Sequence, residues 1–194
     1  MHGNVLMAKT EDQTESIREL IEKCSKGDIA AVKELYLHYS PMIFAICMRY
    51  MDNRHKAQDL THDCFLKILD KLDKYQPTGS FSSWITKLTV NHLTDYFRRE
   101  KKLVFSEDSS LEWENNPVLD WDEAWIHQQK MEQIRKMMQQ LPQTKRIIFN
   151  LFYIEGLSHK QIAKRLGITE TASAIQIYKA RQLMIKWIQY EDGK

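Results

Sequence analysis

The sequence predicts an all-α protein, two small helical domains joined by an acidic linker, with a helix-turn-helix as the C-terminal domain. Three observations lead there. Gly (6) and Pro (4) are scarce in 194 residues while Leu, Ile, Lys, Gln and Met are plentiful, a composition that favours helices over turns or disorder. Apolar residues recur every three or four positions through most of the chain, and no two-residue alternation persists. Charge is segregated: residues 1–102 carry net +2, residues 103–126 hold seven acidic and no basic side chains, and residues 127–194 carry net +7, leaving +2 for the whole. The acidic stretch also holds Ser109, Ser110, Asn115, Asn116 and Pro117 without sustained periodicity, as a linker would, although an acidic loop that merely aids solubility has the same composition. The expected division is a tail over 1–16, a first domain over 17–102, the linker over 103–126 and a second domain over 127–194.

Ile17, Leu20, Ile21 and Cys24 set the apolar face of a first helix, which Gly27-Asp28 ends while capping the next. Ala31, Leu35 and Tyr39 follow at spacings of four. Pro41 is expected to open a further run through Ile43, Phe44, Cys47, Met48 and Met51, broken at Asp52-Asn53. Leu60, Cys64, Phe65, Ile68, Leu69 and Leu72 form another stripe. Tyr75 to Ser80 reads as a loop, and Ser82 as the N-cap of a helix that reaches about Arg99.

In the second domain a helix from Gln143 to Ile154 is expected to end at Glu155-Gly156. Ser158 followed by Gln161 is a capping-box pattern, Ala163 is small enough for a close helix crossing, and Gly167 suits a left-handed turn. Thr169 then caps a last helix carrying Ile175, Ile177, Met184, Ile185, Trp187 and Ile188. This is the arrangement that lays a helix in the major groove, although plain helical bundles also use Gly turns. The +7 charge suits phosphates. Residues 170–176 would meet base edges, with Thr171 and Ser173 permissive, Ala172 able to touch a thymine methyl and Gln176 able to bond adenine; Lys179 and Arg181 suit phosphates.

Other classes of function find little support. Cys24, Cys47 and Cys64 form no CxxC pair and fall on apolar faces, which suits buried thiols in a reducing compartment. No histidine spacing gives a four-ligand zinc site, and no Gly-rich phosphate loop, nucleophile elbow or paired carboxylates appear, so neither metal, cofactor nor enzymatic activity is expected. No apolar run reaches the ~18 residues of a membrane span and no signal-peptide core is present, which suits a soluble cytoplasmic protein.

The segment LPQTKRIIFNLFYIEGLSHKQIAKRLGIT (Leu141 to Thr169) resembles the promoter-reading C-terminal domain of bacterial RNA polymerase sigma factors of the extracytoplasmic-function (ECF) group. Independently, AQDLTHDCFLKIL (Ala57 to Leu69) is similar to the polymerase-binding helix of that family. FSSWITKLTVNHLTDYFRR (Phe81 to Arg99) is similar to its promoter-melting helix, through Phe81, Trp84, Leu88, Asn91, Asp95 and Arg98-Arg99. The resemblance implies a specificity subunit whose first domain docks on the β′ clamp helices of core RNA polymerase, through Asp59, Leu60, Asp63 and Phe65. Trp84, Lys87, Asn91, Asp95, Arg98 and Arg99 would open the −10 element, with Asn91 beside a flipped base and Lys101 and Lys102 on phosphates. The second domain would read the −35 element through Ser158, Thr169, Thr171, Ala172, Ser173, Gln176, Lys179 and Arg181, and touch the β flap. The linker would run towards the RNA exit channel, and an anti-sigma factor would control the whole.

Two departures stand out. Gln58, His62 and Asp63 occupy positions where Glu, Gln and Glu are commoner in the family. The recognition helix has Ala174 and Gln176 where basic residues are expected, which predicts a shallow salt dependence of DNA binding. A stand-alone helix-turn-helix regulator and a sigma mimic that titrates an anti-sigma factor are the alternatives. The polymerase-binding motif and Asn91 disfavour the first, and the depleted recognition helix keeps the second open.

Overall fold

The computed structural model describes residues 16–76, 79–100 and 131–192, the side chains of 131–135 and 188–192 excepted. The acidic stretch 103–126, Lys101 and Lys102 lie outside the described residues. Within them all regular structure is helical: α1 (16–25), α2 (Ile29–Tyr50), α3 (Arg54–Leu69), α4 (Phe81–Arg99), α5 (Met131–Gln140), α6 (Gln143–Phe149), α7 (His159–Leu166) and α8 (Glu170–Asp192). Two compact units emerge, Met1–Leu93 and Thr94–Lys194, dividing within α4.

In the first unit Gly27 takes φ +82° and closes α1, and the Asp28 carboxylate accepts from the amides of Ala30 (2.8 Å) and Ala31 (3.2 Å) to start α2. The break expected at Pro41 does not occur, because α2 runs 22 residues straight through it. Pro41 is exposed, so its ring faces solvent, while Leu35, Tyr39, Ile43, Ile46, Cys47 and Tyr50 on either side share one buried face. Each such side chain contributes roughly 1.5–3 kcal/mol on burial, which together outweighs the ~3 kcal/mol cost of an interior proline. The Asn53 side chain accepts from the Lys56 amide (3.1 Å) and starts α3, whose Leu60, Cys64, Phe65 and Ile68 close the core against α2. The cap of α4 is two residues earlier than expected: Ser80, not Ser82, accepts from the Ser83 amide (3.1 Å), so Phe81 is already helical and buries its ring against Tyr39 and Tyr75.

The second unit is built around Leu141, Ile147, Ile148, Leu151, Ile162 and Ala180. Its tightest joint is a buried cation. Arg146 donates through Nη2 to the carbonyls of Gln139 (2.9 Å) and Leu141 (2.8 Å), and through Nε to Leu141 (3.3 Å), closing the C-terminal end of α5 where a positive charge is favoured. The helix expected over Gln143–Ile154 is present but changes pitch. Its last turn, Asn150–Ile154, is a π-helix in which Glu155 N–H reaches the Asn150 carbonyl (3.0 Å), and Gly156 (φ +65°) ends it. The capping box at Ser158 and Gln161, the left-handed Gly167 (φ +72°) and the Thr169 cap all form as expected.

Candidate nucleic-acid interface

α3 presents two faces. Asp59 and Asp63 are exposed on the outer one, available to a basic partner surface. Leu60 and Phe65 are not available: they are 3 % and 5 % exposed and belong to the core, which corrects their assignment as docking contacts. The physical reason is phase, since Ala57, Leu60, Thr61, Cys64, Phe65 and Ile68 all fall on the inward stripe. Beside Asp59 lies an open cleft of 510 Å³ between α2 and α3, also lined by Tyr36, Phe44, Arg54, Gln58 and His62. Its walls are ordered by two contacts: Tyr36 Oη and His62 Nδ1 are 3.1 Å apart with their rings stacked, and the Arg54 guanidinium sits 5.1 Å from the Phe44 ring centre.

Along α4, Trp84, Lys87, Asn91, Asp95 and Arg98 recur at three- and four-residue intervals and share one side of the helix. Lys87, Asp95, Arg98 and Arg99 are exposed, and Asn91 is half-buried. Trp84 is half-buried in an aromatic cluster, stacked on Phe81 (5.5 Å) and edge-on to Tyr75 (5.3 Å). Of the other aromatics considered for stacking on bases, Phe97 is fully buried and Tyr96 half-buried. Arg98 pairs with Asp95 (2.8 Å), an exposed bridge worth about 0–1 kcal/mol. Arg99 Nε donates to the Asp95 carbonyl (3.3 Å).

The helix-turn-helix revises the recognition residues most. Ser158 and Thr169 are exposed, each also accepting a backbone amide as an N-cap. Thr171 is exposed and Ala172 half-buried. Ser173 and Gln176, expected at base edges, are 0 % and 5 % exposed. Both share the inward stripe of α8 with Ile177, Ala180 and Met184, and Ser173 Oγ lies 3.0 Å from His159 Nδ1 on α7, tying the two helices. Arg181, expected on a phosphate, instead donates through Nε to the Tyr153 hydroxyl, with its guanidinium over the Tyr153 ring. Opposite that stripe α8 carries the exposed Thr171 and the half-buried Ile175, Tyr178 and Gln182, flanked by half-buried Ala174 and Lys179. Extending the Ile177–Ala180–Met184 periodicity backwards would have found Ser173 and Gln176 inside. Nothing local announces the roles of Tyr153 and His159.

Titration is shaped by the same packing. Burial, with the Arg181 charge adding to it, lowers His159 below the ordinary histidine range and so favours the neutral ring that Ser173 meets. Burial raises Tyr153 against the pull of Arg181, and burial with the Lys179 charge lowers Lys145. Among the described residues no group of His, Cys, Asp or Glu could hold a metal ion, and no helix is long and apolar enough to cross a membrane.

Comparison with known proteins fits these surfaces. The model of the family "Sigma-70 region 2" matches residues 35–103, and that of "Sigma-70, region 4" matches residues 131–184, together well over half of the chain. The chain is 27% identical over 191 residues to the RNA polymerase sigma-H factor of Pseudomonas aeruginosa, covering 90% of this chain and 95% of that protein. It is 28% identical over 161 residues to the ECF RNA polymerase sigma factor SigE of Mycolicibacterium smegmatis, covering 80% and 62%. Among solved structures, the sigma factor RpoE of Bartonella quintana, in complex with the anti-sigma factor NepR, is similar at TM-score 0.44 and 18% identity over 81% of this chain and 96% of that one. With both sigma-70 regions present in order, and relatives named for the same role, the chain belongs to the ECF group of sigma-70 factors, which direct transcription initiation.

Proposed function

We propose that the work of initiation is divided among the faces described above, and that it proceeds by binding, in the cytoplasm, without catalysis. The outer face of α3, with Asp59, Asp63 and the neighbouring cleft, docks on the β′ clamp helices of core RNA polymerase. The outward side of α4 takes the −10 element: Lys87, Arg98 and Arg99 hold phosphates while Asn91 and Trp84 receive an unstacked base, whose extraction costs a few kcal/mol. The helix-turn-helix takes the −35 element, with Lys179 on the backbone, and its unit meets the β flap. An anti-sigma factor acts by covering the docking face, as the family resemblance implies.

The observation that carries this reading is the order of the two family matches, region 2 over α2–α4 and region 4 over α5–α8. Reconstitution tests it. The full chain added to core polymerase is expected to give a stable holoenzyme that transcribes from selected promoters, and Asp59→Lys with Asp63→Lys is expected to prevent assembly. Failure to form any holoenzyme overturns it, and capture of an anti-sigma factor without transcription would favour the mimic instead.

A further inference from the structure

Three polar side chains of α8 expected on DNA are buried or engaged within the protein. Ser173 is held by His159, Gln176 is buried, and Arg181, the single arginine between Glu170 and Asp192, is engaged by Tyr153. The centre of the outer side is instead aliphatic, with Ile175 directly opposite the buried Ser173–Ala180 stripe and Ala174 beside it. Neither side chain can form a hydrogen bond. In the major groove the one base-edge group that an aliphatic side chain recognises is the C5 methyl of thymine, whereas guanine readout needs a free Arg or Lys fork. Sequence-independent attraction is available from exposed Lys160 and Lys164 on α7 and from Lys179 on α8.

We propose that this chain reads its upstream promoter element through thymine methyl groups, with Ile175 as the specificity-determining residue and Ala174 and the Thr171 methyl beside it. The inference rests on the region 4 reading above and deepens it. It predicts an element whose contacted positions are thymines on either strand, with little selection for guanine by α8.

The test separates the two. Holoenzyme reconstituted with the full chain selects from promoter duplexes randomised over the upstream element. The enriched sequence is then remade with deoxyuridine in place of each thymidine, which keeps every hydrogen-bonding group of the base pair and removes only the methyl. Binding about fourfold weaker for each contacted methyl is expected, the equivalent of one buried CH₂. Ile175→Ala is expected to weaken binding to the thymidine duplex by a similar factor and to abolish the deoxyuridine effect at one position, a coupling that general damage to the helix would not produce. Because deoxyuridine leaves the protein untouched, the first measurement does not depend on how the variant folds. Equal binding of the thymidine and deoxyuridine duplexes overturns methyl recognition, a deoxyuridine penalty that persists at every position in Ile175→Ala overturns the role of Ile175, and either leaves the region 4 reading standing. No enriched sequence at all overturns both.

Discussion

The Arg146 guanidinium closes two carbonyls at the end of α5 from a buried position. Arg146→Met leaves those carbonyls without their donor and is expected to destabilise the unit by about 3 kcal/mol, measured by urea denaturation followed by circular dichroism. His159 gives a pH dependence with a definite sign. Its folded value lies below its unfolded one, so the unfolded chain binds more protons between the two; stability is full above the ordinary histidine range and falls as pH drops below it. Melting temperatures taken from pH 7.5 to 5.5 should therefore decline, and His159→Gln should flatten that decline. Cys24, Cys47 and Cys64 are all buried and free, and the hydrogen bond that the Cys64 thiol donates to Cys47, with burial, pushes Cys64 far above its ordinary range. Iodoacetamide should leave Cys47 and Cys64 unmodified in the native protein and label them only after denaturation, as mass spectrometry would show. The burial of these cysteines was legible in the sequence from their apolar stripes. Arg146 was not, because its partners are backbone carbonyls that no residue pattern records.

Helix existence was legible almost throughout, since periodicity and caps are local properties, and Gly27-Asp28, Ser158-Gln161 and Gly167 did what their chemistry requires. Where the elements differed from expectation, tertiary packing had outweighed a local rule. The clearest case is α2, which keeps its course through Pro41 because the residues on both sides share one core. Pro41→Ala restores the missing amide on an exposed surface and is expected to stabilise the first unit by about 1–3 kcal/mol in the same denaturation assay. In α8 and α3 the difference was one of phase. Polar Ser173 and Gln176 look like base readers until the stripe they occupy is followed to Met184, and Leu60 and Phe65 look like docking residues only within a motif taken as a string.

For the molecule as a whole, the near-neutral total of +2 conceals opposed segments, and DNA binding should answer to local charge. Lys179 flanks the outer side of α8 while Arg181 is occupied by Tyr153. The full chain should consequently bind duplex DNA with a shallow slope of log K against log salt, and Ala174→Lys should steepen that slope by about 0.9 while raising affinity at low salt, as fluorescence anisotropy would measure. The widened turn at Asn150–Ile154 bears on how such a protein can diverge. It packs one residue more into its turn than a regular helix would hold, and Tyr153, which meets Arg181, lies within it. Loss of one residue there would swing the residues that follow by about 100° around the helix axis, a third of a turn. An insertion or deletion within that stretch would therefore unseat the recognition helix even if every surrounding residue were kept.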